Sequence, residues 1–186
     1  MGKDNIPFHT VVFPSSLIAS EMGWTLLHHI STTEYLNYES GKFSKRSGTG
    51  VFGDAAAETG IPAEVWRYYL LINRPEKSDS EFSWKEFVDR NNNELLANLG
   101  NLCQRALKYA YTNYEKQIPK VTEENLSALE RDFLKIVDEK YKKYVLALDA
   151  VEIKEGLKLA MEISHLGNKY LQDSKFWEKE NVESGR

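Results

Sequence analysis

From about residue 62 to residue 178, apolar side chains recur every three or four positions; before residue 60 they come in short alternating runs broken by glycine. The first spacing is that of helices with one covered face, the second that of a small mixed α/β region. In the mixed region Asp4 is positioned to cap a helix reaching about Ser20, with Pro7 in its first turn and a kink near Pro14. Leu26, His28 and Ile30 alternate with Leu27, His29 and Ser31, which predicts a strand, and residues 34–38 predict a second. Glu39-Ser40-Gly41 supplies turn chemistry after it. The next segment, Lys42-Phe43-Ser44-Lys45-Arg46, ahead of Gly48-Thr49-Gly50, therefore leaves the end of a small sheet. Loops at strand ends are where α/β folds bind ligands.

Asp54 starts a short helix that Gly60 closes, and Pro62 opens another that stops at Arg74-Pro75. A polar loop is expected over residues 76–81. Ser83 and Glu86 then read as a capping box, stapled by Phe82 and Phe87, and start a long helix. Its apolar face is read as Phe87, Val88, Leu95, Leu99, Leu102 and Ala106. Thr122 is expected to cap a second long helix with the stripe Leu126, Leu129, Phe133, Ile136, Tyr144 and Leu148. Asp149 and Glu152, stapled by Leu148 and Ile153, are expected to start a third through Leu157, Ala160, Ile163 and Tyr170. Short connections between such helices imply antiparallel packing into a bundle.

Composition narrows the class. With 186 residues, 41% hydrophobic and 28% charged, the chain is a foldable sequence long enough for one domain or two small ones. A net charge of −4 gives no global signature of nucleic-acid binding, although one local basic groove remains compatible with it. The mixed charges that follow residue 120 at helical spacing read as a solvated helix face. One cysteine, Cys103, rules out an internal disulfide or a multi-cysteine zinc knuckle within the chain and suits a reducing, cytoplasmic setting. No apolar run approaches a membrane span, so no membrane partner is expected. His28 and His29 point to opposite faces of a strand, which is poor geometry for a shared metal ion.

The lysine-rich loop is the strongest candidate for chemistry. Two ammonium groups three residues apart, beside a serine and glycine-rich backbone, suit a triphosphate and the charge that grows on a leaving pyrophosphate. Its residues are one of many blocks, in order, that resemble methionyl-tRNA synthetases of the eukaryotic cytosolic kind. These blocks include residues 2–9, 33–38, 41–45, 50–53, 62–71, 80–84, 94–101 and 167–170, and the likeness runs over about residues 2–178.

The resemblance implies a mostly α chain with a small α/β part: an incomplete class I Rossmann half followed by a helical anticodon-binding bundle. Residues 1–60 would be the carboxyl-terminal part of the catalytic domain with a KMSKS-like loop. Residues 61–82 would be a stem-contact region, and 83–186 an incomplete anticodon-binding domain. It implies an ATP-dependent ligase that charges methionine tRNA through a methionyl-adenylate, with Mg2+ accompanying ATP and no zinc site in this chain. Lys42 and Lys45 would be catalytic, and Asp4, Lys42, Ser44 and Lys45 would bind ATP, Asp4 at the ribose. His9 would line the methionine pocket. Asn101, Arg105 and Trp177 would face the anticodon.

The sequence departs from the family pattern in three ways. Arg46 and Ser47 stand where the loop usually has Ser then Arg, which keeps the local charge. No HIGH-like signature is present, and the chain opens at a point deep within the family's catalytic domain, as a truncated gene or fragment would. It stops soon after Trp177, before the family's last bundle helices. The expectation is a fragment inactive in adenylate formation by itself, with open apolar seams that favour self-association or pairing with an amino-terminal part. A stand-alone tRNA-binding module without catalysis is the alternative.

Overall fold

The computed structural model describes residues 1–39, 41, 43–44, 46, 48–114, 117–118 and 120–177. These divide into two units, Met1–Trp84 and Lys85–Arg186.

The first unit opens with helical turns that differ from the expected capped helix. A 3-10 turn, Lys3–Asn5, leads through a π-helical turn, Phe8–Val12, into α1 (Phe13–Ala19). Pro14 has no amide to give back to the preceding turn. The chain accommodates it by winding one turn wider just before it, with the Phe13 amide donating to the Phe8 carbonyl. Asp4 lies inside the first turn rather than at a cap. Glu21 (φ +56°) and Gly23 (φ +69°) end the helical run.

Residues 23–32 form no regular strand, contrary to their alternation. The amide groups of that stretch find no neighbouring ladder among the described residues. The end of that stretch is tied by Met1 donating its amino group to Ser31 O (2.9 Å), Arg74 Nη2 donating to Ser31 Oγ (2.8 Å) and Thr33 N–H donating to Met1 O (2.8 Å). The second expected strand does form, as β1 (Leu36–Tyr38). It pairs in parallel with β2 (Ser80–Phe82), placing Leu36 opposite Ser80 and Tyr38 opposite Phe82. The polar loop expected over 76–81 thus ends in a strand whose inward residue is Phe82.

Two helices connect the strands, α2 (Gly53–Glu58) and α3 (Ala63–Ile72), with Gly60 (φ +69°) and Pro62 dividing them as their sequence suggests. Phe82, 2% exposed, is the hub of this unit. Tyr38 and Trp66 stack on it at 5.6 and 5.9 Å, and Tyr69 and Trp84 meet it edge-on at 5.3 and 5.1 Å. Aromatic pairs in these geometries each add about 0.5–1.5 kcal/mol beyond burial.

Helix α4 (Trp84–Arg90) starts at the last residue of the first unit, and a π-helical segment (Asn91–Gly100) and α5 (Asn101–Asn113) of the second unit continue it without a break. Ser83 N–H donates to the Tyr69 hydroxyl (3.1 Å), and the Trp84 amide goes to Glu39 Oε1 (2.8 Å). The start of α4 is therefore held from the distant Tyr69 and Glu39. The inner face differs from that read in the sequence, because polar as well as apolar residues occupy it. Leu95 and Leu102 turn inward with Asn98 and Arg105, whereas Val88, Leu99 and Ala106 are exposed.

Thr122 precedes only a short 3-10 turn, Glu123–Asn125. The second long helix, α6 (Ala128–Asp149), starts at a capping box made by Ser127 and Glu130. Phe133, Tyr144 and Leu148 face inward as expected, while Leu129 and Ile136 remain exposed. Asp149 is the last residue of α6, not a cap. The turn into α7 (Ile153–Asp173) is a Schellman arrangement, with Val151 N–H to Leu148 O (2.9 Å) and Glu152 N–H to Ala147 O (2.8 Å). Val151 takes φ +61°, where glycine is usual.

Helix α7 packs against α6 and against both the π segment and α5. Glycine permits the close approach on each side. A Cβ on Gly156 would come 2.5 Å from Leu148 Cδ2, and one on Gly167 would come 2.8 Å from Leu102 Cδ2. The fold class read from the sequence, mostly helical with a small α/β part, is the one observed. No helix among the described residues is long and apolar enough to cross a membrane.

Candidate functional site

In the first unit, the turn at Glu39 (φ +43°) closes through paired backbone bonds between Tyr38 and Gly41 (2.7 and 2.8 Å). Ser44 and Thr49 then bridge as antiparallel partners, exchanging bonds of 2.9 and 3.0 Å. Between them the loop is pinned by Phe43, whose ring meets Tyr38 at 5.2 Å and Phe52 at 6.2 Å. Gly50 (φ +117°) is needed beneath it, because a Cβ there would lie 2.3 Å from the Phe43 ring. Behind Phe43 lies an apolar cavity of about 220 Å³ that Leu36, Phe52, Trp66 and Phe82 help to line. Lys42 and Lys45 lie outside the described residues; Ser44 and the exposed Arg46 lie within them.

Asp4 sits in a polar cluster that sequence reasoning did not assemble. The Tyr35 hydroxyl donates to its carboxylate, at 2.7 and 2.6 Å from the two oxygens. The bond to Asp4, then burial and the charge of Asp4, push the Tyr35 phenol above its ordinary range. Lys3 pairs with Glu34, approaches Asp79 at 3.7 Å and lies 4.4 Å from the centre of the Tyr35 ring. The hydrogen bond to Glu34 outweighs burial and raises the Lys3 ammonium. Tyr35 N–H in turn donates to Asp79 (3.0 Å). These contacts fix Asp4 while leaving it exposed. The only sequence signal was Tyr35's place in a strand next to a carboxylate-rich neighbourhood, which does not identify a partner thirty residues away.

His9 is exposed on the same helical run and does not behave as a core histidine. Its Nδ1 donates to the Asn5 carbonyl (3.0 Å), so Nε2 is the acceptor in the neutral ring.

In the second unit, Arg105 and Trp177 converge on one residue that sequence reasoning missed, Phe176. The Arg105 guanidinium lies 5.8 Å from the Phe176 ring centre, and the Trp177 ring meets Phe176 edge-on at 5.2 Å. Tyr109 holds this end of the chain, with its ring 4.5 Å from Phe176 and its hydroxyl donating to Phe176 O (2.7 Å). Burial, then the neighbouring Tyr114, raise the Tyr109 phenol. Trp177 remains 47% exposed, so its ring is available for stacking. Asn101 is exposed one turn before Arg105 and donates to Asn168 Oδ1 (3.2 Å). The arrangement offers an aromatic face, a guanidinium and an amide, the groups that engage unpaired bases.

Residues 1–107 match the family described as tRNA synthetases class I (M). A probable cytoplasmic methionine–tRNA ligase of Schizosaccharomyces pombe is 56% identical over 178 residues, covering 94% of this chain and 23% of that protein. The cytoplasmic methionine–tRNA ligase of Saccharomyces cerevisiae is 50% identical over 175 residues, again 94% of this chain and 23% of its own length. Mycobacterium tuberculosis methionyl-tRNA synthetase in complex with methionyl-adenylate is similar in structure, with a TM-score of 0.83 at 25% identity. That match covers 99% of this chain and 36% of the other. The chain spans about a quarter of the length of the curated relatives it matches.

Proposed function

The chain belongs to the class I tRNA synthetases of the M family, and on that premise we propose that it forms part of a cytoplasmic methionine–tRNA ligase. Residues 1–60 belong to the catalytic domain, 61–82 contact the acceptor stem, and 83–186 read the anticodon. The whole enzyme activates methionine with ATP, accompanied by Mg2+, and transfers it to methionine tRNA. The single observation that best supports this reading is the 56% identity to a relative of that name across 94% of the chain.

The chemistry assigns each residue a task. The methionine carboxylate attacks the α-phosphorus of ATP, and negative charge accumulates on the departing pyrophosphate. Lys42 and Lys45 offset that charge as point cations on a loop whose root is fixed by Phe43, with Ser44 adding a polar contact. Asp4, oriented by Tyr35, accepts from a ribose hydroxyl. His9 contributes to the methionine pocket. In the helical unit, Trp177 stacks on an anticodon base while Asn101 and Arg105 contact base edges.

Two measurements test the proposal. A gel shift with methionine tRNA should show tighter binding than the same tRNA with an altered anticodon, and Trp177→Ala should remove the preference. Equal binding of both tRNAs by the unaltered chain would defeat the anticodon assignment. The 186 residues alone are expected to give no methionine-dependent pyrophosphate exchange, since preorganised charge stabilisation needs a complete site. Exchange by the purified chain would overturn that expectation.

A further inference from the structure

Five aromatic rings of the first unit form an arc, each in contact with the next. Phe52 meets Phe43 at 6.2 Å, and Phe43 meets Tyr38 at 5.2 Å. Tyr38 then stacks on Phe82 at 5.6 Å, and Phe82 on Trp66 at 5.9 Å. All five line the cavity of about 220 Å³ behind Phe43. The space has its origin in α2, Gly-Asp-Ala-Ala-Ala-Glu, which brings only Gly53 and Ala56 to the wall. A hydrogen and a methyl group leave room between α2, α3 and the two strands. Side chains around such a space forgo part of their dispersion contacts, and a guest of matching shape restores them.

The chemistry of the wall sets what the cavity can hold. The described residues that line it are all apolar or aromatic, and the Tyr38 hydroxyl is engaged by Trp84 Nε1 (3.0 Å). A charged guest would give up its hydration for no counter-charge, whereas an apolar guest gains by leaving water. Cavities of about 150 Å³ suffice to take up benzene, so this one suits a single ring and is too small for a nucleotide. A guest here also touches Phe43, the residue that pins the lysine loop. One residue further on, Ser44 and Thr49 close the root of that loop with bonds of 2.9 and 3.0 Å. We propose that the cavity is a binding site for a small uncharged apolar molecule, one aromatic ring or a branched aliphatic group of that size, and that occupancy tightens the root of the lysine loop through Phe43. Asp4, His9 and Ser44 are not part of its wall, so the inference does not rest on the tRNA-ligase reading.

The test uses the 186-residue chain, with benzene as the neutral probe and benzoate as its charged counterpart. Calorimetric titration should show saturable benzene binding with a dissociation constant of about 1 mM or below, and no benzoate binding over the same range. Ala56→Leu, which sets three further carbons into the space, should weaken benzene binding by about tenfold or more. With benzene bound, the amides of Ser44 and Thr49 should exchange with solvent about threefold or more slowly than without it. Benzene that fails to saturate, benzoate that binds as well, or Ala56→Leu that binds as the parent does would each overturn the site. Unchanged exchange at Ser44 and Thr49 would overturn its link to the loop. If Ala56→Leu does not fold, nuclear Overhauser contacts of benzene in the unaltered chain decide the matter. They should reach Phe43 and Ala56, and contacts confined to the exposed Phe8, Val12 and Ile18 would overturn the inference.

Discussion

The helical run over residues 3–19 and helix α7 are both rich in apolar residues, yet their burial differs sharply. Phe13 and Ile18 are 59% and 63% exposed, and no residue of that first run is buried; on α7 Leu159 is 7% exposed. Helix α7 also buries Gly156, Ser164 and Gly167. The contrast lies in the small residues. Each glycine of α7 stands where a leucine of a neighbouring helix arrives, Leu148 on one side and Leu102 on the other. The first run is held mainly along a polar edge, by Lys3 with Glu34 and by Tyr35 with Asp4. Apolar spacing states that a helix needs cover; small residues at the contact mark where cover has been built.

The comparison breaks most visibly at matched truncations. Leu159→Ala should destabilise the helical unit by about 2–5 kcal/mol, as buried leucines do. Phe13→Ala should fall within about 0.5 kcal/mol of the parent despite removing a larger side chain. Denaturant unfolding followed by far-UV circular dichroism would compare them, and similar losses would erase the distinction. The next largest effect sharpens the role of the glycines. Gly167→Val adds three carbons where even a Cβ stands 2.8 Å from Leu102 Cδ2, and should cost about 1–3 kcal/mol. Adding Leu102→Ala to that variant should recover part of the loss, and no recovery would place the strain elsewhere.

The turn that enters α7 carries a smaller, opposite expectation. Val151 holds φ +61° at the residue where a Schellman turn favours glycine, a strained conformation for a β-branched side chain. Val151→Gly should raise stability by about 1 kcal/mol through relief of that strain. A fall in melting temperature would mean that the half-buried valine side chain contributes more by packing than its backbone costs.

How far the sequence could be read follows the range of the interactions involved. Local punctuation was legible: Gly60 and Pro62 separate α2 from α3, and the turn after Tyr38 closes where Glu39-Ser40-Gly41 suggested. The capping box at Ser127 and Glu130 was equally local but was passed over for Thr122. The inner face of the long helix was misjudged because it carries polar side chains: Asn98 and Arg105 lie on it with Leu95 and Leu102, while Leu99 and Ala106 face out. At the candidate sites, Arg105 and Trp177 were named, but Phe176 between them and Tyr109 behind it were not. Nothing in a single chain states that residues 109 and 176 meet. The contact of Asn101 with Asn168 was missed for the same reason, since the two stand 67 positions apart.

The smallest expected effect asks whether the cover on α7 includes a charged tie at its far end. Glu130 accepts the Ser127 amide (2.7 Å) and the Tyr170 hydroxyl (3.2 Å), joining the start of α6 to the last turns of α7. Burial pushes this carboxyl upward, but the bonds from Ser127 and Tyr170 outweigh it, so its pKa lies below the ordinary glutamate value. A carboxyl lowered in the folded state contributes stability above its unfolded pKa and loses it as pH falls through the folded value. The helical unit should therefore lose stability in the acid range below about pH 4.5, the window set by the ordinary glutamate value. Because the group is largely open to solvent, the contribution should stay below about 1 kcal/mol. Glu130→Gln keeps one oxygen for the Ser127 amide, turns an NH2 toward the Tyr170 hydroxyl, which can accept from it, and carries no titrating charge. Its melting temperature should thus fall less steeply than the parent's between neutral and acid pH. Parallel acid limbs would show that the tie between α6 and α7 owes nothing to charge, leaving the glycine-mediated packing as the whole of what distinguishes α7 from the exposed run at residues 3–19.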